Sequence, residues 1–269
     1  MDVDTIAVGL FFFGTTALVL ASIEVGFRLG RAAHRRSKEE MESPAAAMAG
    51  AILGLVAFIL AFTFGIASSR FDTRKELVRD EANAIETTWL RADFIPQPDR
   101  DEVRRLIVQY LDERLALARA PSAENIEAAL RNTELLRQRL WRLAVEHGER
   151  DLNSDVAALY IDSLNEMFNL HHQRVAVGVQ ARIPRGVWVA LYALAALGML
   201  GMGYQAGITG SKRSWASLIL AISFALVASM IAALDGAGTS GFRVPQQALI
   251  DVRGRIAPSD GDALHGEGP

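Results

Sequence analysis

Residues 43–91 read SPAAAMAGAILGLVAFILAFTFGIASSRFDTRKELVRDEANAIETTWLR. Ser43 suits a helix N-cap, and Pro44 suits the first helical position, where its missing N–H costs no hydrogen bond. From Ala45 to Ser69 there is no charged residue and no proline. About 20 apolar residues span a bilayer, so this segment crosses one with some tilt. One face is small, with Gly50, Gly54, Ala57, Ala61, Gly65 and Ser68 at spacings of three and four; the other is bulky, with Ile52, Ile59, Phe62 and Ile66. After Arg70 the apolar stripe continues through Phe71, Val78, Ala82, Ile85 and Trp89, while the remaining surface becomes charged. No glycine or proline interrupts that continuation before Pro96. The expectation is a span that runs on, unbroken, as an amphipathic helix of an aqueous domain.

The rest of the chain fits around this helix. Of 269 residues, 51% are hydrophobic and 22% charged, and the apolar excess falls in four blocks. The predicted class is an all-α integral membrane protein with four transmembrane helices and a helical extramembrane domain between spans two and three. Its segments are 1–44, a first span (Thr5 to Ile23) and a short basic loop; 45–92, the long helix; 93–185, the helical domain; 186–234, spans three (Val187 to Ile208) and four (Trp215 to Leu234); and 235–269, a tail. The first block lacks a basic n-region and a small-residue cleavage site, so it reads as a span and not a signal peptide. Trp188 and Tyr204 suit membrane interfaces, and Gly198, Gly201 and Gly203 suit close helix packing.

In the helical domain, Pro96 and Pro98 end the long helix. A second helix, Asp101 to Ala120, turns Val103, Leu106, Ile107, Tyr110 and Leu111 inward. A third starts at Ser122, buries Ile126, Leu130, Leu136, Leu140 and Leu143, and takes Gly148 as C-cap. A fourth is capped by Asn153 or Ser154, buries Val156, Leu159, Tyr160, Met167 and Leu170, and runs to Pro184. The tail carries an apolar line, Ala248, Ile250 and Val252, able to dock on the domain or the membrane surface. From Ala257 its composition predicts disorder.

Charge and composition exclude several functions. The net charge of −3, and 17 basic against 20 acidic residues between Phe71 and Arg185, give no basic patch for nucleic acid. With no cysteine there is no disulfide, thiolate metal site or cysteine nucleophile. Asp72, Glu76 and Asp80 share a face, but Arg74, Lys75 and Arg79 interleave and make it a solvated, salt-bridged surface. Asp162, Glu166, Asn169 and Gln173 form a polar line suited to a helix or subunit contact; the adjacent His171 and His172 face apart and cannot both join it. No metal, cofactor or catalytic constellation is expected, and the chain reads as no enzyme. Glu24 lies at the end of the first span with Arg28 one turn away, placed for a simple ion pair.

Two readings of the second span stand side by side. Gly50, Gly54, Ala57, Ala61 and Gly65 let helices approach closely, within the protomer or between copies. Phe58, Phe62 or Ile66 on a pore axis would form a hydrophobic constriction that gates by dewetting, with Arg70 and Arg74 at its mouth. The short loops carry Arg31, Arg35, Arg36, Lys38, Lys212 and Arg213, which the positive-inside rule puts in the cytoplasm. The N-terminus and helical domain then lie outside, in a multi-pass protein of the plasma (inner) membrane.

Several local patterns occur together: Ser69-Arg70-Phe71-Asp72, Asp80-Glu81-Ala82-Asn83-Ala84-Ile85, and Leu90-Arg91-Ala92-Asp93 before Pro96. Further on come Leu164-Asn165-Glu166-Met167, Leu170-His171 with Arg174, Arg182-Ile183-Pro184 leading to Trp188, and Gly241-Phe242-Arg243-Val244. From about Gly26 to Ile256 the chain resembles the bestrophin-like family of bacterial four-span membrane proteins. The resemblance singles out the polar residues Glu24, Glu81, Asn83, Arg91, Asn165, Glu166, His171 and Arg174. Gly236-Ala237-Gly238 departs from it, since a basic residue and a proline are expected after Asp235. True bestrophins, a more distant likeness, are pentameric anion channels whose second span lines the pore and whose helical domain is cytoplasmic, the reverse of the orientation from loop charges. The family resemblance implies a membrane protein with four spans and lipid around it; the likeness to bestrophins, with the apolar second span, points to a homo-oligomeric ion (anion) channel with that span near the axis. The alternative is a non-conducting scaffold or signalling protein whose helical domain binds a protein partner.

Overall fold

The computed structural model describes residues 3–36, 44–119, 123–150, 154–180, 182–210, 215–236 and 244–256. They form α-helices and no strand: α1 (Val3–Arg36), α2 (Ala45–Arg91), α3 (Asp99–Arg119), α4 (Ala123–Arg150), α5 (Asp155–Val175), α6 (Arg185–Ile208), α7 (Ala216–Asp235) and α8 (Gln247–Ile256). Helices α1, α2, α6 and α7 are long and apolar enough to cross a membrane. The protein is an all-α integral membrane protein with four spans and a helical domain between the second and third. The expected continuity of α2 holds over 47 residues, and α1 runs past the predicted end at Ile23.

The chain divides into two units, Met1–Phe71 with Arg182–Arg243, and Asp72–Ala181 with Val244–Pro269. α2 contributes its apolar half to the first and its charged half to the second. The boundaries therefore cut the predicted 45–92 segment at Phe71 and split the predicted tail at Val244.

In the membrane unit, α1 and α6 pack backbone to backbone. A Cβ on Gly26 or Gly30 would overlap the carbonyl oxygens of Leu200 or Tyr204; on Gly203 or Gly207 it would overlap those of Ile23 or Phe27. Glycine alone permits this approach. Val19, Val56, Leu191, Ala195, Met199, Ala221, Phe224 and Ala228 form the core. Trp188, expected at an interface, packs edge-on against Phe11 at 5.7 Å and stacks on Tyr192 at 6.1 Å. Tyr192 also shares a 2.7 Å hydrogen bond with Thr15. At the end of α7 the buried Asp235 accepts the Ile183 N–H with both carboxylate oxygens, each at 3.1 Å, and ion-pairs with Arg70 at 3.6 Å.

The helical unit has its own core. Val78, Ala82 and Ile85 of α2 meet Val103, Leu106, Ile107, Tyr110 and Leu111 of α3, Leu140 and Ala144 of α4, and Tyr160, Leu164 and Met167 of α5. Each fully buried aliphatic or aromatic side chain contributes about 1.5–3 kcal/mol. Ser154 is the N-cap of α5, its side chain accepting the Ala157 N–H at 3.2 Å; Asn153 lies outside the described residues. Three expectations are corrected. Gly148 is no C-cap, since α4 continues to Arg150. The fourth helix is not regular to Pro184: a π-helical turn, Ala176–Gln180, follows α5. Val156 and Leu159 face outward at 45% exposure each, because the buried stripe of α5 passes through Tyr160, Leu164 and Met167 instead.

The tail is corrected too. Its apolar line is Leu249, Val252 and Ile256, spaced for a helix, and Ile250 is 47% exposed. Positions 248, 250 and 252 recur every second residue, a spacing that a helix does not keep on one face, and the segment folds as α8. α8 docks on the helical unit, fixed by Arg253 to Asp112 and Arg255 to Glu86, both at 2.7 Å. The Gly241-Phe242-Arg243 motif and the tail beyond Ile256 lie outside the described residues.

Candidate functional site

Two places bring the predicted residues together, one in each unit. The first is the outer face of α2 in the membrane unit. Ile52 and Ile59 turn inward against the core. Phe58 and Phe62 are 69% and 65% exposed, and Ile66, Gly50, Gly54, Ala57, Ala61 and Gly65 are also on the exposed side. The small and bulky faces drawn from the sequence are thus not opposed. Phenyl and small side chains share one broad face, because at about 100° per residue positions 54, 58, 61, 62 and 65 fall within about 100° of one another. A Cβ on Gly50, Gly54 or Gly65 meets nothing within 4 Å, so these glycines pack against no other described residue of the protomer.

The two cations expected at the mouth stand apart from that face. Arg70 follows Phe58 by about 120° around the helix and lies 3.6 Å from Asp235. Arg74 follows it by about 160° and is buried. Glu24 makes the expected ion pair with Arg28, at 2.7 Å.

The second place is a buried polar cluster in the helical unit, centred on Glu81 in the charged half of α2. Glu81 has no exposed surface. Tyr110 of α3 donates its hydroxyl to Glu81 Oε1 at 2.8 Å, and Arg114, one turn on, places Nε 3.3 Å from the same oxygen. From α5, Arg174 Nη1 binds Oε2, and His171 Nδ1 lies 3.8 Å from Oε1. Arg174 also donates through Nη2 to Gln246 Oε1 at 3.1 Å, and Gln246 donates to the Val244 carbonyl at 2.9 Å. One carboxylate thereby ties α2, α3, α5 and the segment leading into α8.

Burial alone would raise the Glu81 carboxyl, but Arg114 and Arg174, together with His171 and Tyr110, outweigh it and hold the group well below the usual carboxylate range. Burial together with the Glu81 charge pushes the Tyr110 hydroxyl well up, so it stays a donor. Burial pushes His171 below its ordinary value, aided by Arg114, and favours the neutral ring. Burial likewise lowers Arg174, while Glu81 raises Arg114 against its own burial.

Of the other polar residues singled out by sequence, Asn83, Asn165 and Glu166 are exposed and stay outside the cluster. Arg91 caps a carbonyl across the unit, donating to Leu159 O at 2.6 Å, with Asp162 3.7 Å away. His171 and His172 do diverge: the first is buried, the second exposed. Arg114 is absent from the residues that the sequence singles out, and Tyr110 reads there only as core. The signal is available, since Glu81, Arg114 and Arg174 each sit on the apolar stripe of their own helix, three or four residues from Val78, Tyr110 and Leu170. A charge on a core stripe needs a buried partner. No group of three or more His, Asp or Glu side chains is arranged for a metal among the described residues.

A profile of the Bestrophin-like domain matches residues 13–236. Among solved structures, the chain is similar to the crystal structure of a membrane protein bearing a proline-to-alanine substitution. The two are 16% identical, with 96% of this chain and 98% of the other covered and a TM-score of 0.59, a likeness of fold alone. Comparison with curated proteins gives no match. Four apolar helices, one of them continuous with a helical domain, and a match over most of the length lead to one conclusion: the chain belongs to the bestrophin-like family.

Proposed function

We propose that the protein is a homo-oligomeric anion channel of the plasma (inner) membrane, in which α2 of each copy stands beside a central axis. One observation carries this reading: the outer face of α2 combines Gly50, Gly54, Ala57, Ala61 and Gly65 with Phe58, Phe62 and Ile66, and no described residue of the protomer covers it. Small residues contribute little against lipid but permit close approach of another helix, so a second copy is the natural neighbour. The phenyl groups then form an apolar constriction, which closes by dewetting. The apolar half of α2 carries no carboxylate, so the pathway presents no fixed negative charge to repel an anion. Because Asp235 engages Arg70, the barrier rests on Phe58 and Phe62 more than on Arg70 or Arg74.

The test is chloride flux from liposomes holding the purified oligomer. Phe62→Ala widens the constriction and raises flux above wild type. A well-folded oligomer with no flux, in wild type and in Phe62→Ala alike, overturns the reading. A second reading draws on the helical unit, where Leu135, Trp141, Val145, Val156 and Leu159 are exposed. Apolar side chains in this number suit a protein partner, and a non-conducting scaffold would then bind one there. Absent flux with a partner recovered by crosslinking through these positions supports it.

A further inference from the structure

Where α2 ends, the helical unit holds a cavity of about 210 Å³. One water takes roughly 30 Å³ in the liquid, so the space admits a small molecule, though less than the roughly 300–1,000 Å³ of drug-sized pockets. It lies between the turn Ala92–Phe94 with the two residues after it, the last two turns of α4 and the first two turns of α5. Its walls are apolar. Ile95, Ala144 and the Tyr160 ring are buried, Ala157 and Ile161 are half-buried, and Phe94 reaches solvent.

The polar lining comes from Ser154, Tyr160, His147 and Arg150, and no carboxylate lines the cavity among the described residues. Ser154, the N-cap of α5, accepts the Ala157 N–H, which leaves its own proton to donate. Tyr160 is 1% exposed, and its hydroxyl makes no hydrogen bond to a described residue. Burial pushes this phenol up, so it keeps its proton. The Arg150 guanidinium stays charged in a protein and binds Asp99 Oδ2 through Nη1 at 3.4 Å. The same oxygen lies 3.1 Å from His147 Nε2, so one carboxylate outside the cavity positions both side chains. The start of α5 adds the positive end of a helix dipole.

Apolar walls, hydrogen-bond donors and one fixed cation describe the ligand. We propose that this cavity binds a small aromatic monocarboxylate, its ring against Ile95, Ala157 and Ile161 and its carboxylate among the donors of Ser154, Tyr160 and Arg150. A single ring with a short acidic arm matches the volume, which a long acyl chain exceeds. A second carboxylate would meet no second fixed cation. The site belongs to the helical unit and does not depend on conduction by the membrane unit.

The experiment is isothermal titration of the full chain in detergent with phenylacetate and with benzoate. At least one gives a saturable heat, and phenylacetamide, with the same ring and no charge, binds about tenfold more weakly than phenylacetate. Tyr160→Phe removes a hydroxyl that no described residue engages, so the thermal midpoint is kept while the affinity falls about tenfold. Ala157→Met fills the cavity and abolishes the heat. No saturable heat with either acid overturns the proposal. So does an affinity unchanged in either folded variant, because the acid then binds elsewhere, in the protein or the micelle. Equal affinity for phenylacetamide and phenylacetate overturns the assignment of a carboxylate.

Discussion

Glu81 is where a single side chain has the largest consequence. Its carboxylate is shared by three helices, and removing it strands two guanidinium groups in the core. Truncating one partner of a buried ionic group costs about 3–5 kcal/mol, so Glu81→Ala is expected to lower the denaturant midpoint of the helical unit drastically. An exposed family residue such as Asn83→Ala should change stability by less than about 0.5 kcal/mol. Acid acts in the same direction through two groups. The Glu81 carboxyl is held low in the folded state, so its stabilisation is complete above the ordinary carboxylate value and is lost as pH falls below it. The His171 ring is pushed below its ordinary value of about 6.5, so on acidification the unfolded chain takes up this proton first and stability declines from that pH downward. His171→Gln should flatten the decline that sets in as pH falls below about 6.5, and leave the steeper loss at lower pH in place. An unchanged slope in His171→Gln would assign the titration to another group. Glu81, His171 and Arg174 are visible in the sequence as motif residues, but their convergence is not, since it depends on the packing of α2, α3 and α5.

Among elements, α1 and α6 show what local spacing conveys and where it stops. The sequence holds three Gly-x-x-x-Gly pairs of equal standing: Gly26 with Gly30, Gly50 with Gly54, and Gly203 with Gly207. The structure uses the first and third against each other and leaves the second uncovered. Spacing states that a helix can approach; it does not say which helix comes. Gly26→Ala drives a Cβ into the Leu200 carbonyl, and overpacking of this kind costs about 1–3 kcal/mol, so the thermal midpoint of the protein is expected to drop. Gly54→Leu meets open space within the protomer and should leave that midpoint nearly unchanged. If α2 lines an oligomer axis, the same change shifts the protein toward monomer in size-exclusion chromatography with light scattering. An oligomer unaffected by Gly54→Leu would move the subunit contact to another face. α8 makes the complementary point: the tail's apolar residues are legible, but with ten residues and a neighbouring proline its period is not, and docking on α3 selects the helix.

For the whole molecule, the side of the membrane on which the helical unit lies decides what the Glu81 cluster meets. The four spans and the continuity of α2 into that unit follow from hydropathy alone, and they fix one relation: the helical unit and the turn between α6 and α7 face opposite sides. We propose, from the basic residues of the two short loops, that this turn lies in the cytoplasm and the helical unit outside. Likeness to bestrophins favours the reverse. Long segments translocate largely regardless of their charge, so the 20 acidic and 17 basic residues from Phe71 to Arg185 do not bear on the choice; the short loops do. The chain has no cysteine, so each introduced thiol reports alone. Glu166→Cys lies on an exposed position of α5, and Thr209→Cys on an exposed position after α6. From the loop charges, an impermeant maleimide added to intact cells labels the first and spares the second until the membrane is opened. The opposite pattern would place the helical unit in the cytoplasm, where the Glu81 cluster meets the cell's internal pH, and the acid response expected of it would then report on the interior of the cell.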